Sequence, residues 1–273
     1  MKNSYFSLGY RKALSACALS AFSSLFLISI CAGSLAAHAQ TPKELHVAAA
    51  ADLQPVLPTL AAEYEQATGV KIIASFGSSA TLAQQLTNGD PQDIFLSADY
   101  VHPEQLVAAG LTDSHAPTPY ARGVLVLWAR NDSPAQPITL EVLTSPKVKK
   151  IAIANGLHAP YGLAADKALE NLHLTAQVAS KLVVAENIGQ TAQFAESGNA
   201  EVGLISLTIA SSPHFRELGT FVRFPAQSYP EIRQCGVILK SSKNQALAHD
   251  FLRWLTSAAV QQSLTKFGLD PAN

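Results

Sequence analysis

The residues of this chain best suited to chemistry are the hydroxyl side chains of Ser78 and Ser79, which directly follow Gly77. An apolar segment ends at this glycine and an Ala/Gln-rich segment begins after the serines, so the pattern predicts a strand that turns into a helix. The backbone N–H groups of a helix's first turn point outward, and the helix dipole makes that end partially positive. With two hydroxyl donors added, such a junction is suited to binding an anion.

A second junction of the same type precedes the first, where a strand of small residues ends near Ala51 and Asp52 opens a helix. Two such junctions in one half of a chain indicate one shared ligand. No lysine or arginine occurs between Lys71 and Arg122. An anion bound here would therefore meet backbone dipoles and hydroxyl groups instead of full positive charges.

Strands and helices alternate along the chain, which predicts parallel sheets flanked by helices. One helix face carries Val56, Leu60 and Tyr64 at helical spacing. The predicted strands are 45–50, 70–76, 93–97, 123–129, 151–154, 181–185, 202–206 and 237–239, and the predicted helices are 55–66, 103–109, 162–172, 189–197 and 246–256.

Two extended segments divide this alternation into two series. A Pro-rich stretch, 116–119, leads into the strand 123–129 as a first crossing, and 224–230 forms the return crossing. We therefore expect lobe I to comprise residues 40–120 and 230–273, and lobe II to comprise 121–229. Two lobes joined by two crossovers can close over a ligand by bending at a few positions. The alternative is a pair of rigidly fused domains without a hinge.

Six sequence motifs together span nearly all of the chain after residue 39. They are Ala49-Ala50-Ala51-Asp52-Leu53, Thr68-Gly69-Val70, the run of residues 75–83, the run of residues 91–99, Ala159-Pro160-Tyr161-Gly162 and Lys266-Phe267-Gly268. Together they resemble the molybdate-binding periplasmic proteins of ABC importers. The resemblance implies an α/β fold, that of a two-lobed type II periplasmic binding protein. Each lobe would be a mostly parallel sheet flanked by helices, and two hinge crossovers would join the lobes.

The resemblance also implies a function and a type of site. The protein would capture molybdate, and also tungstate, between its lobes and deliver it to an ABC permease in the inner membrane. We expect a monomer that catalyses no reaction and needs no cofactor. In this family a tetrahedral oxyanion is held by hydroxyl groups and backbone amides, without a metal ion or an arginine.

The site residues implied by this resemblance come from both lobes. Ser79 matches the family's hydroxyl at the second helix start, and Ser78 precedes it. Tyr161 matches a loop that gives a backbone amide or a tyrosine hydroxyl, and Ile188 would donate its backbone N–H. Ser206 replaces a tyrosine that some members carry. It is a shorter donor toward the ligand, and the alternative is an ordinary serine at the end of a strand. Asp52, Ser79, Tyr161 and Ile188 would surround the molybdenum only through the oxygen atoms of molybdate, so none of them is a metal ligand.

Asp52 departs from the family pattern, because many members have Ser or Asn there, both of which can donate a hydrogen bond. An ionised Asp only accepts, and it repels a dianion. One interpretation is that Asp52 caps its helix by accepting from the N–H of Gln54; another is that Asp52 is protonated, or selects an anion that itself carries a proton. The cap is favoured here because it is the commonest role of Asp before a helix.

The first 39 residues have the pattern of a secretory signal peptide. Lys2, Arg11 and Lys12 precede an apolar stretch, and Ala37-His38-Ala39 fits a signal peptidase site. We therefore expect export to the periplasm and a mature chain that begins near Gln40. The alternative is a membrane anchor, since the apolar stretch approaches the length that spans a bilayer.

Charge and cysteine content narrow the function further. Without residues 1–39 the chain has 16 basic and 20 acidic residues, a net charge of −4, which argues against binding to nucleic acid. Cys17 and Cys31 would leave with the signal peptide, so Cys235 would remain without a partner for a disulfide.

Two other functions compete with molybdate capture. An exported hydrolase would need a catalytic base, and His158 is the only candidate beside the predicted site, but the chain lacks a G-x-S-x-G motif. A receptor for another tetrahedral oxyanion, such as sulfate or phosphate, remains open, because sulfate and molybdate share charge and shape and differ mainly in size. Receptors for ferric ion or an organic acid would need clustered tyrosines or an arginine, which the predicted loops lack.

Overall fold

Strands of residues 43–272, the part of the chain that the computed structural model describes, form two separate five-stranded sheets. The predicted signal peptide, residues 1–39, lies outside the described residues. The strands are β1 Lys43–Ala50, β2 Val70–Gly77, β3 Ile94–Ser97, β4 Thr118–Gly123, β5 Leu125–Arg130, β6 Ile151–Ala154, β7 Leu182–Ala185, β8 Val202–Ser206, β9 Gly219–Arg223 and β10 Ile232–Ile238.

The two sheets repeat one topology. The first has the order β2-β1-β3-β10-β4 and the second the order β7-β6-β8-β5-β9. In the first sheet β1 pairs in parallel with β2 and β3, and β10 pairs antiparallel with β3 and β4. In the second, β6 pairs in parallel with β7 and β8, and β5 pairs antiparallel with β8 and β9. One strand in each sheet, β10 or β5, thus runs against the others, and the predicted mostly parallel α/β class is confirmed as two mixed sheets.

Helices cover both sheets. Helices α1, α2, α3 and α9 contact strands of the first sheet, and α4, α6, α7 and α8 contact strands of the second. The α-helices of residues 43–272 are α1 Leu57–Thr68, α2 Ser79–Thr87, α3 Val101–Ala108, α4 Pro160–Asn171, α5 Thr175–Val178, α6 Ile188–Glu196, α7 Leu207–Ala210, α8 Pro213–Leu218, α9 Gln245–Leu255 and α10 Ala258–Ser263. Short 3-10 helices are Ala51–Leu53, Leu140–Thr144, Ala179–Lys181, Ala226–Ser228 and Leu264–Phe267.

Helix α1 illustrates why the amphipathic pattern forms a helix here. Leu57, Leu60 and Tyr64 are buried on one face, in agreement with the predicted stripe. The ring of Tyr64 packs edge-on against Phe251 of α9, with ring centroids 5.0 Å apart. Gly69 ends the helix with a φ of 72°, a left-handed conformation that glycine adopts without strain. Buried side chains, not charge pairs, therefore fix α1 on the sheet.

The first crossing between the sheets lies at a single residue, Val124. We predicted one strand over 123–129, but β4 ends at Gly123 in the first sheet and β5 begins at Leu125 in the second. The backbone groups beside the break bond outside the ladders: Leu125 N–H donates to the Tyr229 hydroxyl at 3.1 Å, and Val124 C=O accepts from Leu207 N–H at 2.8 Å. The sequence does not indicate this break, because the residues on both sides of Val124 are apolar and buried.

The return crossing connects β9 to β10 through residues 224–231, which include the short helix Ala226–Ser228. The strand predicted over 237–239 is longer than expected and begins at Ile232. The lobe limits 40–120, 121–229 and 230–273 stay predictions, although the two crossings fall close to them. No helix of residues 43–272 combines the length and the apolar character that crossing a bilayer requires.

Candidate functional site

Four helix starts meet at one small cavity of about 10 Å³ between the two sheets. The helices are the short helix Ala51–Leu53, α2, α4 and α6. Five of the six predicted site residues line the cavity: Asp52, Ser78, Ser79, Tyr161 and Ile188. Pockets for drug-sized ligands are usually larger, about 300–1,000 Å³. The cavity therefore suits a small ion, and its walls present the positive ends of several helix dipoles.

Ser78 and Ser79 have different roles at the start of α2. Ser78 is the N-cap: its Oγ accepts from Thr81 N–H at 3.3 Å and donates to Thr81 Oγ1 at 2.7 Å. Ser79 is the first helical residue, and its fully buried Oγ accepts from Ala98 N–H at 3.1 Å. Among the hydrogen bonds of residues 43–272, the Ser79 hydroxyl donates none, so its hydrogen is available to an occupant of the cavity.

The cap interpretation of Asp52 is wrong. Asp52 lies inside the helix Ala51–Leu53, whose N-cap is Ala50, and Gln54 N–H donates to the backbone oxygen of Ala51 at 3.2 Å. The carboxylate Oδ2 instead accepts from the Tyr161 hydroxyl at 3.2 Å and from Gln234 Nε2 at 2.5 Å. A single 3-10 turn brings the Asp52 side chain to the neighbouring helix α4 instead of to its own backbone.

The electrostatic state of Asp52 follows from its surroundings. The side chain is fully buried, and burial raises its pKa from 3.8 to about 7, although the hydrogen bonds from Gln234 and Tyr161 oppose the shift. The second carboxyl oxygen, Oδ1, is buried without a hydrogen-bond partner among the described residues. Burial also raises the pKa of Tyr161 well above its usual value, so this hydroxyl stays a donor.

Tyr161 reaches Asp52 because α4 begins very close to strand β6. Pro160 occupies the first helical position, where its missing N–H costs nothing. At Gly162 a Cβ would lie 2.4 Å from the backbone oxygen of Ala154, so only glycine permits this approach. The ring of Tyr161 is buried, and its hydroxyl fills the space beside Gly123, where a Cβ would lie 2.3 Å from it.

Ile188 starts α6, and its buried side chain packs in the core while its backbone is placed at the cavity. Asn187 is the N-cap, and its Oδ1 accepts from Gln190 N–H at 3.0 Å. The N–H groups of a helix's first turn have no acceptor within their own helix. Ile188 therefore offers a backbone donor whatever its side chain.

Ser206 is the predicted residue that the structure does not place in the cavity wall. It caps α7 by accepting from Ile209 N–H at 3.4 Å, and its hydroxyl lies 2.7 Å from Thr208 Oγ1. Thr208 Oγ1 in turn donates to the backbone oxygen of Asp52 at 2.7 Å. Because that bond uses the Thr208 hydrogen, Ser206 donates to Thr208, and its hydroxyl supports the site from behind.

Further hydrogen bonds join the two halves at the cavity's mouth. Ala80 N–H donates to the backbone oxygen of His158 at 3.1 Å, and Thr81 Oγ1 donates to Glu186 Oε1 at 3.3 Å. His158 Nδ1 lies 3.2 Å from the same carboxylate oxygen. Helix α2, beside the first sheet, therefore contacts loops that belong to the second sheet.

The charge of the wall is unusual for an anion site. Its lining contains no lysine, arginine or histidine among the described residues. Residues 43–272 also contain no group of three or more His, Cys, Asp or Glu side chains placed to hold a metal ion. The available donors are neutral: the Ser79 hydroxyl and the backbone N–H groups of helix starts.

A family model matches most of the chain. Residues 45–270 match the family described as bacterial extracellular solute-binding protein. The chain belongs to this family. The family is one of solute-binding proteins and not an enzyme family, and the match covers both sheets and all four helix starts at the cavity.

Individual proteins named for molybdate binding are also similar to the chain. The molybdate-binding protein ModA of Azotobacter vinelandii is 34% identical over 249 residues, which cover 90% of this chain and 96% of that protein. ModA of Rhodobacter capsulatus is 30% identical over 225 residues, which cover 82% of this chain and 87% of that protein. The solved structure of the periplasmic molybdate-binding protein of Azotobacter vinelandii superposes with a TM-score of 0.75 at 31% identity, over 82% of this chain and 98% of that one.

Sequence reasoning missed two residues that shape the site. Gln234 lies in β10, is fully buried, and donates both to Asp52 and, at 3.3 Å, to the Tyr161 hydroxyl. Ala98 supplies the N–H that orients Ser79. A glutamine within a buried strand is the signal that could have identified Gln234, because a buried amide needs partners. No pattern in the sequence indicates Ala98.

Proposed function

We propose that this protein captures molybdate in the periplasm and delivers it to an ABC permease in the inner membrane. Tungstate, which has the same charge and shape, is a second ligand of the same site. In this proposal residues 1–39 direct export, the protein acts as a monomer, and it neither catalyses a reaction nor carries a cofactor. The similar proteins named as molybdate-binding support the ligand, and the family supports the role of a solute receptor.

The observation that carries the proposal is the convergence of four helix starts and the Ser79 hydroxyl on one small cavity without a cationic side chain. Neutral donors suit a fully ionised tetrahedral anion, since each anion oxygen accepts hydrogen bonds and no wall group need accept a proton. The anion would receive hydrogen bonds from Ser79 and from the backbone N–H groups of Tyr161 and Ile188. It would hold both lobes together, because it binds the closed form better than the open form.

Ligand identity is tested by thermal unfolding of the protein with molybdate, tungstate, sulfate or phosphate in separate samples. A ligand at 100 times its Kd stabilises the folded state by about 2.7 kcal/mol, which raises the melting temperature measurably. We expect stabilisation by molybdate and tungstate at concentrations where sulfate and phosphate have no effect. Stabilisation by phosphate alone would overturn the proposal and favour a site in which Asp52 accepts a proton from the anion.

The contact assigned to Ser79 is tested by isothermal titration with molybdate. We expect Ser79→Ala to weaken binding about tenfold or more, because one hydrogen bond to a charged group contributes about 1.5–3 kcal/mol. Ser212→Ala is the matched control: Ser212 caps α8 by accepting from Phe215 N–H at 3.4 Å, away from the cavity wall. Equal affinities of Ser79→Ala and the wild type would remove Ser79 from the site.

The rival hydrolase has little support in the geometry. Its candidate base, His158, pairs with Glu186 at the mouth, and both side chains are exposed. Among the hydrogen bonds of residues 43–272, none joins a serine hydroxyl to a histidine ring. The proposal of a receptor therefore rests on the anion cavity, and an esterase or phosphatase assay that showed turnover lost in His158→Ala would contradict it.

A further inference from the structure

The two carboxyl oxygens of Asp52 have unequal surroundings. Oδ2 accepts two hydrogen bonds, from Tyr161 and Gln234, whereas Oδ1 is buried and has no partner among the described residues. Asp52 is 0% exposed and lines the cavity. Because Oδ2 is directed to Tyr161 and Gln234, Oδ1 is the carboxyl atom left for an occupant of the cavity. A buried polar atom without a partner is costly, so this oxygen indicates a contact that an occupant completes.

An ionised carboxylate could not make that contact with an anion. It has only acceptor atoms, the anion has only acceptor atoms, and their charges repel at short distance. A neutral carboxylic acid carries one O–H donor. With the proton on Oδ1, the group donates to the anion, while Oδ2 keeps both of its hydrogen bonds as an acceptor. The neutral form is thus the one that satisfies every atom of Asp52.

We infer, on the basis of the proposed function, that Asp52 binds the oxyanion as a neutral carboxylic acid whose Oδ1–H donates to an anion oxygen, so that capture of a dianion takes up one proton. No covalent bond changes. Above the pKa of the ligand-free site the proton passes from solvent to Oδ1 when the anion binds, and it returns to solvent when the anion leaves. Asp52 is then a specificity residue, because it opposes any ligand that must donate to it.

The groups around Asp52, apart from Asp99, either are neutral or keep their protons near pH 7, so Asp52 is the residue of the site that titrates. Tyr161 of α4 and Tyr120 of β4 have pKa values raised well above the usual range, chiefly by burial. Burial likewise raises the pKa of Cys235 on β10 to about 12. Asp99, the acid near Tyr120 and Cys235, pairs with His102. Helix α7 contributes the neutral hydroxyl of Thr208, and the start of α6 contributes the uncharged residues 187–189.

No cation offsets the burial of Asp52. In the ion pairs found within residues 43–272, none includes Asp52. The pKa of about 7 therefore results from burial, partly opposed by two neutral hydrogen bonds. A dianion beside the carboxyl disfavours its charged form and raises the pKa further. Proton uptake on binding is consequently expected on the alkaline side of pH 7.

The test is isothermal titration of the wild-type protein with molybdate, which is the dianion throughout pH 6–9. At pH 8, titrations in two buffers with different enthalpies of ionisation measure the number of protons taken up. We expect close to one proton, and a Kd that rises by up to tenfold per pH unit above pH 7, or about 50-fold from pH 7 to pH 9. Asp52→Asn keeps a donor that cannot ionise, so its proton uptake is expected near zero and its Kd constant with pH.

Ser79→Ala is the matched control, because it removes a donor but leaves the titrating group. It is expected to bind more weakly at every pH, with the same proton uptake as the wild type. Tight molybdate binding by the wild type with no proton uptake and a constant Kd would overturn the inference and leave the proposed function intact. Absence of molybdate binding at every pH would overturn the proposed function itself. If Asp52→Asn does not fold, the two-buffer measurement on the wild type decides alone.

Discussion

Gln234 and Asp52, 182 positions apart in the sequence, are joined by a hydrogen bond of 2.5 Å from Gln234 Nε2 to Asp52 Oδ2. The bond connects β10, the strand that follows the return crossing, to the helix start after β1. The same amide group lies 3.3 Å from the hydroxyl of Tyr161, which belongs to a helix on the second sheet. Gln234 therefore fixes one carboxyl oxygen of Asp52 at the point where the two halves meet.

The buried state of Asp52 predicts a specific dependence of stability on pH. Its folded-state pKa of about 7 lies above the unfolded value of 3.8, so the stability contributed by the group is complete below pH 3.8 and is lost as pH rises to 7. The loss amounts to about 4 kcal/mol over the full shift. We expect the stability of Asp52→Asn relative to the wild type to increase by up to this amount between pH 4 and pH 7, and to stay level above pH 7.

Urea unfolding at intervals of one pH unit measures this difference. Other carboxyl groups titrate in both proteins, so their contributions cancel. Asp250→Asn is a suitable control, because Asp250 forms an exposed pair with Arg253, and such pairs contribute at most about 1 kcal/mol. A stability difference between Asp52→Asn and the wild type that does not change with pH would contradict the buried, neutral carboxyl.

Gln234→Leu is expected to raise the pKa of Asp52, and so to shift the pH dependence of molybdate binding to higher pH. Among the causes that oppose the raised pKa of Asp52, the hydrogen bond from Gln234 is the largest. Leucine fills similar space but donates nothing, so the carboxyl keeps its proton to higher pH. In the titration of molybdate binding, the midpoint at which affinity begins to fall should shift toward alkaline pH. An unchanged midpoint would show that Gln234 only packs beside Asp52.

The sequence predicted the fold well where burial and periodicity act locally. The strands over 45–50, 151–154 and 202–206 are mostly apolar segments, and all lie in the sheets. The break at Val124 was missed because the residues on both sides of it are buried, so hydropathy does not change where the chain leaves one sheet for the other. The strand β10 was cut short because Arg233 and Gln234 interrupt its apolar pattern.

The site was predictable to the extent that helix starts are local features. Ser79, Tyr161 and Ile188 each follow a strand or loop with a recognisable start signal, and all line the cavity. The partners of Asp52 were not predictable, because they come from α4 and β10, which are far away in sequence. Ser206 lies outside the cavity wall and its hydroxyl pairs with Thr208, a contact that no local pattern indicates.

Ser78→Ala is expected to separate helix capping from ligand binding. The Ser78 hydroxyl accepts from Thr81 N–H and donates to Thr81 Oγ1, so it has no hydrogen left for an anion. Loss of an N-cap costs about 0.5–2 kcal/mol of stability. We expect a lower unfolding free energy in urea, with a Kd for molybdate raised much less than in Ser79→Ala. A Kd that rises as strongly as in Ser79→Ala would return Ser78 to the ligand contacts.

Gly123→Ala is expected to impair binding through Tyr161, because the new methyl group would lie 2.3 Å from the Tyr161 hydroxyl and 3.0 Å from Ile232 Cγ2. Gly123 is the last residue of strand β4, and the crossing to the second sheet follows it directly. Because the backbone is held on both sides of Gly123, the side chain of Tyr161 must move instead. Overpacking of this type costs about 1–3 kcal/mol. The displaced ring moves Tyr161, whose backbone N–H is a proposed donor to the anion, so molybdate binding should weaken about tenfold or more, which corresponds to about 1.4 kcal/mol.

The matched control is Gly236→Ala in the neighbouring strand β10, where the added Cβ meets the flexible ends of Leu96 and Leu252 at 3.0 and 3.1 Å. The Gly236→Ala substitution also crowds buried side chains, but residue 236 lies away from the cavity wall. Stability should fall in both variants, whereas affinity for molybdate should fall only in Gly123→Ala. Equal affinities in the two variants would mean that the position of the Tyr161 hydroxyl does not matter for closure over the anion.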